Sequence, residues 1–157
     1  MKIGVEMRLG EDPRETFADA RAIEAAGADS LWVIGHEGED PLTFAAALAA
    51  VTWRIGIVVP ASPGFPEARR TVESITRGRL VAAELRADDI RIAVEGGVDR
   101  WQACALPPSR AEWKALRAER EAQGFAGLVV PNGPRLLDLL RNPDTEEDRS
   151  DIKLAFG

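Results

Sequence analysis

Residues 29–43 read DSLWVIGHEGEDPLT, and this stretch decides the fold. An apolar run, Leu31 to Ile34, leads straight into His36, the only histidine in the chain. Asp40 then stands as a helix N-cap with Pro41 at the first helical position, where proline's fixed φ and missing N–H cost nothing. The order is strand, polar loop, helix. In parallel α/β folds, ligands and catalytic groups gather in the loops that follow the carboxyl ends of strands. His36 therefore occupies a position where function is expected.

Working outward, one phrase recurs three times, as AIEAAGADSLWV, RIAVEGGVDRWQ and REAQGFAGLVVP. In each a helical pattern runs into glycine, at Gly27, Gly97 and Gly124, and a strand follows a few residues later. Glycine ends helices because it accepts the left-handed C′ conformation without a Cβ clash. Strands are expected to start near Lys2, Ser30, Arg54, Arg79, Arg100, Ala126 and Asp151, a repeat of roughly 20 to 28 residues. The helices between them carry matching start signals. Asp12-Pro13 with Glu15 opens a helix to about Ala26, and Asp40-Pro41 opens the second. A third is expected over Pro66 to Ile75. Ser109 caps a long helix, Arg110 to Gln123, with Trp113, Leu116 and Arg120 on one stripe, and Pro134 opens a last one ending near Arg141. Between Asp88 and Glu95 the alternation of Ile90, Ile92 and Val94 suits a strand, but the repeated phrase demands a helix there, and a helix is expected.

Seven strands alternating with six helices predict a parallel sheet covered by helices, closed as a (β/α) barrel or left open and doubly wound. Spacing does not choose between these. With 157 residues the chain is one domain, residues 1–157, and shorter than the 200 or more that an eightfold barrel ordinarily needs. A closed sheet would be a compact or incomplete TIM-barrel-like one of about seven strands.

Composition narrows the partners. Hydrophobic residues make up 45% and charged residues 29%, as in ordinary globular proteins, and the net charge of −6 argues against nucleic acid or an anionic membrane surface. The lone Cys104 cannot form an internal disulfide, no signal-peptide pattern precedes the first strand, and no apolar run approaches a membrane span, so a cytoplasmic location is expected. One His and one Cys cannot build a typical zinc site.

At Asp29 to Thr43 the chain resembles the luciferase-like flavin-dependent monooxygenases, whose second strand reads D-S-x-W-V before a His-bearing loop and D-P-L. The opening MKIGVEMRLGEDPRETFADARAIEAAGADSLWV is similar to that family's first strand and helix, VTWRIGIVV to its third strand, and TVESITRGRLVAAEL to its passage into strand four. The likeness covers about the first 85 residues. It implies a TIM-type barrel binding FMN or a deazaflavin at the carboxyl ends of its strands, commonly as a homodimer. The chain is shorter than family members by well over 100 residues, and Glu84, Leu85 and Arg86 stand where the family commonly has a glycine-rich turn.

Several residues are candidates for chemistry. Because an unperturbed imidazole has its pKa close to physiological pH, His36 would contact flavin or serve as acid or base; its plainer role is a loop histidine making one hydrogen bond. Alternation in the first strand sends Ile3, Val5 and Met7 to the helices and Glu6 and Arg8 inward, and the same reading sends Glu84 and Arg86 inward from strand four. Glu6 would pair with Lys153 if the last strand closes on the first. Such a cluster is either a structural ion network or a polar site at the mouth. Glu6 and Glu84 are the candidate bases. Two loops could hold a phosphate, 61–65 before helix three and Asn132-Gly133 before the last helix, the latter favoured because late-strand loops do so in many barrels. Arg86 would assist. Cys104 reads as a buried, inert thiol.

The second helix, residues 41–51, is apolar nearly all round, with Ala45, Ala46, Ala47, Ala49 and Ala50. Such a helix is normally covered on both sides, by the sheet and by a partner subunit, and a homodimer is expected through it. Two functions follow from these readings. One is a flavin-dependent oxidoreductase acting on a small organic substrate. The other is a non-catalytic, dimeric binding or accessory barrel without flavin, its mouth filled by side chains such as Glu84, Arg86 and Trp101.

Overall fold

The computed structural model describes residues 1–34, 40–61, 66–86, 89–94 and 96–142. Among them, seven strands and five helices form a closed barrel with helices on part of its outer surface. The order is β1 (Lys2–Glu6), α1 (Pro13–Ala25), β2 (Ser30–Trp32), α2 (Pro41–Val51), β3 (Gly56–Pro60) and α3 (Pro66–Ile75). Then come β4 (Leu80–Leu85), β5 (Ile90–Val94), β6 (Gly97–Ala103), α4 (Arg110–Ala122), β7 (Gly127–Pro131) and α5 (Leu136–Arg141).

The expected starts of α1, α2 and α4 hold, while the last helix begins at Leu136 rather than Pro134. Asp12 accepts from the Arg14 amide and Asp40 from that of Thr43, each followed by proline, and Ser109 accepts from the Glu112 amide. These caps satisfy amides that the first turn leaves without partners.

The barrel is not parallel throughout. β1 pairs in parallel with β2 and β7, β2 with β3, β3 with β4, and β6 with β7, but β4–β5 and β5–β6 are antiparallel. The helix expected over Asp88 to Glu95 is instead β5, and Gly97 begins β6 rather than ending a helix. The physical reason is the two-residue alternation: Ile90 and Ile92 both enter the barrel interior, which a helix could not arrange. Gly96, at φ +84°, permits the tight turn that lets Val94 pair with Gly97. Seven strands therefore close the barrel, with β7 beside β1, while the strand expected near Asp151 lies outside the described residues.

Alternation divides the core in two. Ile3, Val5, Leu31, Ile57, Val59, Leu128 and Val130 face outward against α1, α2, α4 and α5, where they meet Ile23, Phe44, Leu48, Trp113, Leu136 and Leu139. The opposite faces of the strands send Trp32, Val58, Ala83, Ile90, Ile92, Trp101 and Val129 inward. At the amino ends of the strands, Glu24 accepts hydrogen bonds from the amides of Trp53, Arg54 and Ile55. The Arg79 guanidinium donates to the carbonyls of Ala49, Thr52, Ile55 and Thr76, fixing the same α2–β3 turn.

Candidate functional site at the carboxyl ends of the strands

The carboxyl ends of β1, β2, β3, β4, β6 and β7 share one end of the barrel. Here Glu6 lies beside Trp32 on one side and Pro131 on the other. It occupies the same face of β1 as Gly4 and so turns toward the barrel axis, as expected. Its Oε1 accepts from Arg8 Nη2 at 2.8 Å and Nε at 3.0 Å. The pair is lopsided: the Glu6 side chain is 19% exposed and that of Arg8 65%. Glu6 is therefore a carboxylate at the rim, partly withdrawn from water and paired with the more exposed Arg8.

His36 lies outside the described residues, as do the 62–65 segment and Lys153, the expected partner of Glu6. The anchors of the His36 loop are defined. On the strand side, Val33 donates to the carbonyl of Val58 at 2.8 Å and Ile34 packs on the inward cluster. On the helix side, the Asp40 carboxylate accepts from both the amide and the hydroxyl of Thr43. The Thr43 hydroxyl, with the neighbouring amides, outweighs the effect of burial and holds Asp40 below the usual carboxylate range. Since Met7 donates to the carbonyl of Trp32 at 2.8 Å, the root of this loop adjoins the strand end that carries Glu6.

Glu84 and Arg86 do not turn inward. Val81 and Ala83 face the inward cluster and Leu80 the outer one, so alternation puts Glu84 on the outside of the barrel. Its side chain is 63% exposed and bonds Arg86 at 3.0 Å. The expectation erred by one residue in phase, which in a strand reverses every side chain. Asn132 sits on the loop after β7, but its Nδ2 donates to Asp19 at 2.7 Å, so an approaching phosphate would meet the Asp19 carboxylate. The Gly133 carbonyl accepts from Leu136, as an ordinary helix-opening turn does. Within the described residues, then, the β7 loop is a poor cradle for the phosphate of FMN. Cys104 follows β6 directly, and desolvation raises its thiol above the ordinary range against a smaller opposing effect of Arg120. Among the described residues no cluster of His, Cys, Asp or Glu could hold a metal ion, and no helix is long and apolar enough to cross a membrane.

Below this rim the barrel is filled. Trp32 and Trp101 meet at 5.1 Å between ring centroids, and each covers a glycine: a Cβ on Gly4 would lie 2.1 Å from Trp32 Nε1, and one on Gly127 2.4 Å from Trp101 Cζ3. Ser30 completes the arrangement by accepting from Trp32 Nε1 at 2.8 Å. Trp101 was expected as a filler, whereas the roles of Trp32, Gly4, Ser30 and Gly127 went unread. The signal was present, since glycine inside a strand marks close approach of another group. A ring cofactor has no room among these side chains and would have to rest above them.

Comparison with known proteins fits the part of the chain that builds this rim. No curated protein matches the chain. The family model for luciferase-like monooxygenases matches residues 1–81, which carry β1, β2, β3 and the loops at their carboxyl ends. With just over half of its residues matched, the chain belongs to the luciferase-like monooxygenase family.

Proposed function

We propose that the protein is a flavin-associated oxidoreductase of the luciferase-like kind, acting on a small organic substrate at the carboxyl ends of β1, β2 and β3. The observation that carries the reading is that the family match and the rim of Glu6, Arg8 and the His36 loop fall in the same segment. In this reading His36 meets the ring of the flavin, FMN or a deazaflavin, and holds or moves a proton near neutral pH. Glu6 orients Arg8 at the rim. In this reading the β7 loop does not grip the flavin phosphate, and Glu84 and Arg86 take no part.

The second reading is a non-catalytic barrel that acts as a binding or accessory protein. It is favoured by the packed Trp32–Trp101 interior and by the β4–β5–β6 hairpins that stand where further βα units would bring loops to the mouth. Either way a homodimer through α2 is proposed. Ala45 and Ala49 lie in the core and Ala46 packs against it, which leaves Ala47 and Ala50 for the partner side. There Thr43 and Ala47 join Leu9, Pro13 and Phe17 around an apolar groove of about 380 Å3.

Titration of the apo-protein with FMN, followed by flavin fluorescence, separates the readings. Saturation in the micromolar range, similar for riboflavin and weakened in His36→Ala, is the result expected of the enzyme. No binding of either flavin would leave the accessory barrel.

A further inference from the structure

Two surface features at opposite ends of α2 complement each other. The first is an exposed apolar patch. Trp53, on the turn after α2, is 74% exposed, and Ile75, at the end of α3, is 49% exposed and borders the same hollow. The turn beneath the indole is fixed: the Trp53 amide donates to Glu24 at 2.9 Å, and Arg79 donates to the carbonyls of Thr52 and Ile55. A large side chain in water on a rigid turn is already ordered for a contact. Beside it, the Arg77 guanidinium lies 5.6 Å from the centroid of the Trp53 ring. Arg77 is the one non-glycine among the described residues at positive φ, 54°, a conformation that costs energy when a Cβ is present. It pairs with no carboxylate among the described residues.

The second feature is the groove of about 380 Å3 between α1 and the first turns of α2. Leu9, Pro13, Phe17 and Phe44 make its walls apolar, and among the described residues Asp40 is the one charged group that lines it. The groove lies on the α1 side of α2 at its amino end, and the patch lies on the α3 side at its carboxyl end. Between them α2 presents Ala47 and Ala50, small enough for a second helix to cross closely. A two-fold axis across this face, with the two α2 helices crossed, carries the patch of each copy onto the groove of the other.

We propose that the groove is filled by Trp53 of a second copy of this chain, with Arg77 of that copy set against Asp40. Each copy gives one indole and receives one, so the contact closes as a dimer instead of running on as a filament. Charge favours a second copy as the occupant: a cation accompanies the patch and an anion the groove, so opposite charges meet in both halves of the contact. The inference rests on the α2 homodimer proposed above and adds the aromatic anchors that a row of alanines does not supply.

The test is sedimentation equilibrium of the full chain and its variants. Trp53→Ser, which empties the groove, is expected to raise the dimer dissociation constant about 30-fold or more, as loss of an aromatic anchor does. Leu9→Glu, which puts a charge into the groove from a part-exposed position away from α2, should do the same. Arg77→Ala and Asp40→Ser, the latter keeping a helix cap, should each weaken the dimer by up to about 5-fold, and the double variant should lose little more than either alone. A dimer unchanged in Trp53→Ser or Leu9→Glu, or losses that add in the double variant, would overturn the proposal. The α2 contact is judged separately: if Ala50→Glu is monomeric while Trp53→Ser stays dimeric, the anchor falls and α2 stands, whereas a monomeric parent removes both.

Discussion

Trp32 and Trp101 occupy the centre of the barrel with their ring planes inclined by 55° and their centroids 5.1 Å apart, each seated on the glycine of a neighbouring strand. Tilted pairs of this kind match the positive edge of one ring to the negative face of the other. The two rings pack in the middle of the barrel interior among Val58, Ala83, Ile90, Ile92 and Val129.

The glycines beneath the rings are the first point of test. Gly4→Ala or Gly127→Ala drives a methyl into an indole ring that the surrounding strands hold in place. Overpacking of this kind costs about 1–3 kcal/mol, and each variant should show a lowered urea midpoint. Wild-type stability in both would mean that the rings can move aside.

Ser30→Ala removes the acceptor of a buried indole N–H. The cost of the orphaned donor is about 1–3 kcal/mol, against almost no change in packing volume. Chemical denaturation measures it, and Ser30→Thr, which keeps a hydroxyl, should lose less.

Glu24 ties α1 to the turn after α2. Partial burial by itself raises its pKa, but the amides of Arg54, Ile55 and Trp53 and the charge of Arg54 outweigh that and hold it below the ordinary glutamate range. A depressed folded-state pKa contributes stability above the unfolded value that is lost as pH falls through the folded one. Glu24→Gln should therefore be less stable than the parent at pH 7, and the difference should shrink toward pH 3 in urea titrations at the two pH values. A difference independent of pH would assign Glu24 a packing role only.

Ala50 lies exposed on the outer side of α2, close to Trp53, which is 74% exposed. Ala50→Glu places a charge on the proposed subunit contact without disturbing the core, so sedimentation velocity should show a monomer. Ala49→Glu is a different experiment, since Ala49 packs inside and its replacement would unfold the domain. An unchanged sedimentation coefficient for Ala50→Glu would remove α2 from the interface.

By itself the sequence determined the elements whose signals are local. Aspartate-proline and serine caps placed α1, α2 and α4, helix-ending glycines placed Gly27 and Gly124, and DSLWV with its flanks carried the family. Those signals survive without tertiary contacts because each is a hydrogen bond or dihedral preference confined to a few residues. The segment around Ile90 was different: its helix and strand readings rested on equally local cues, and pairing with β4 and β6 decided for strand. Tertiary structure also decided the phase of β4, which put Glu84 outside. It alone engaged Asn132 with Asp19, residues 113 positions apart in the chain. The meeting of Trp32 with Trp101, and of both with glycines on other strands, likewise depends on barrel closure, which only long-range register can specify.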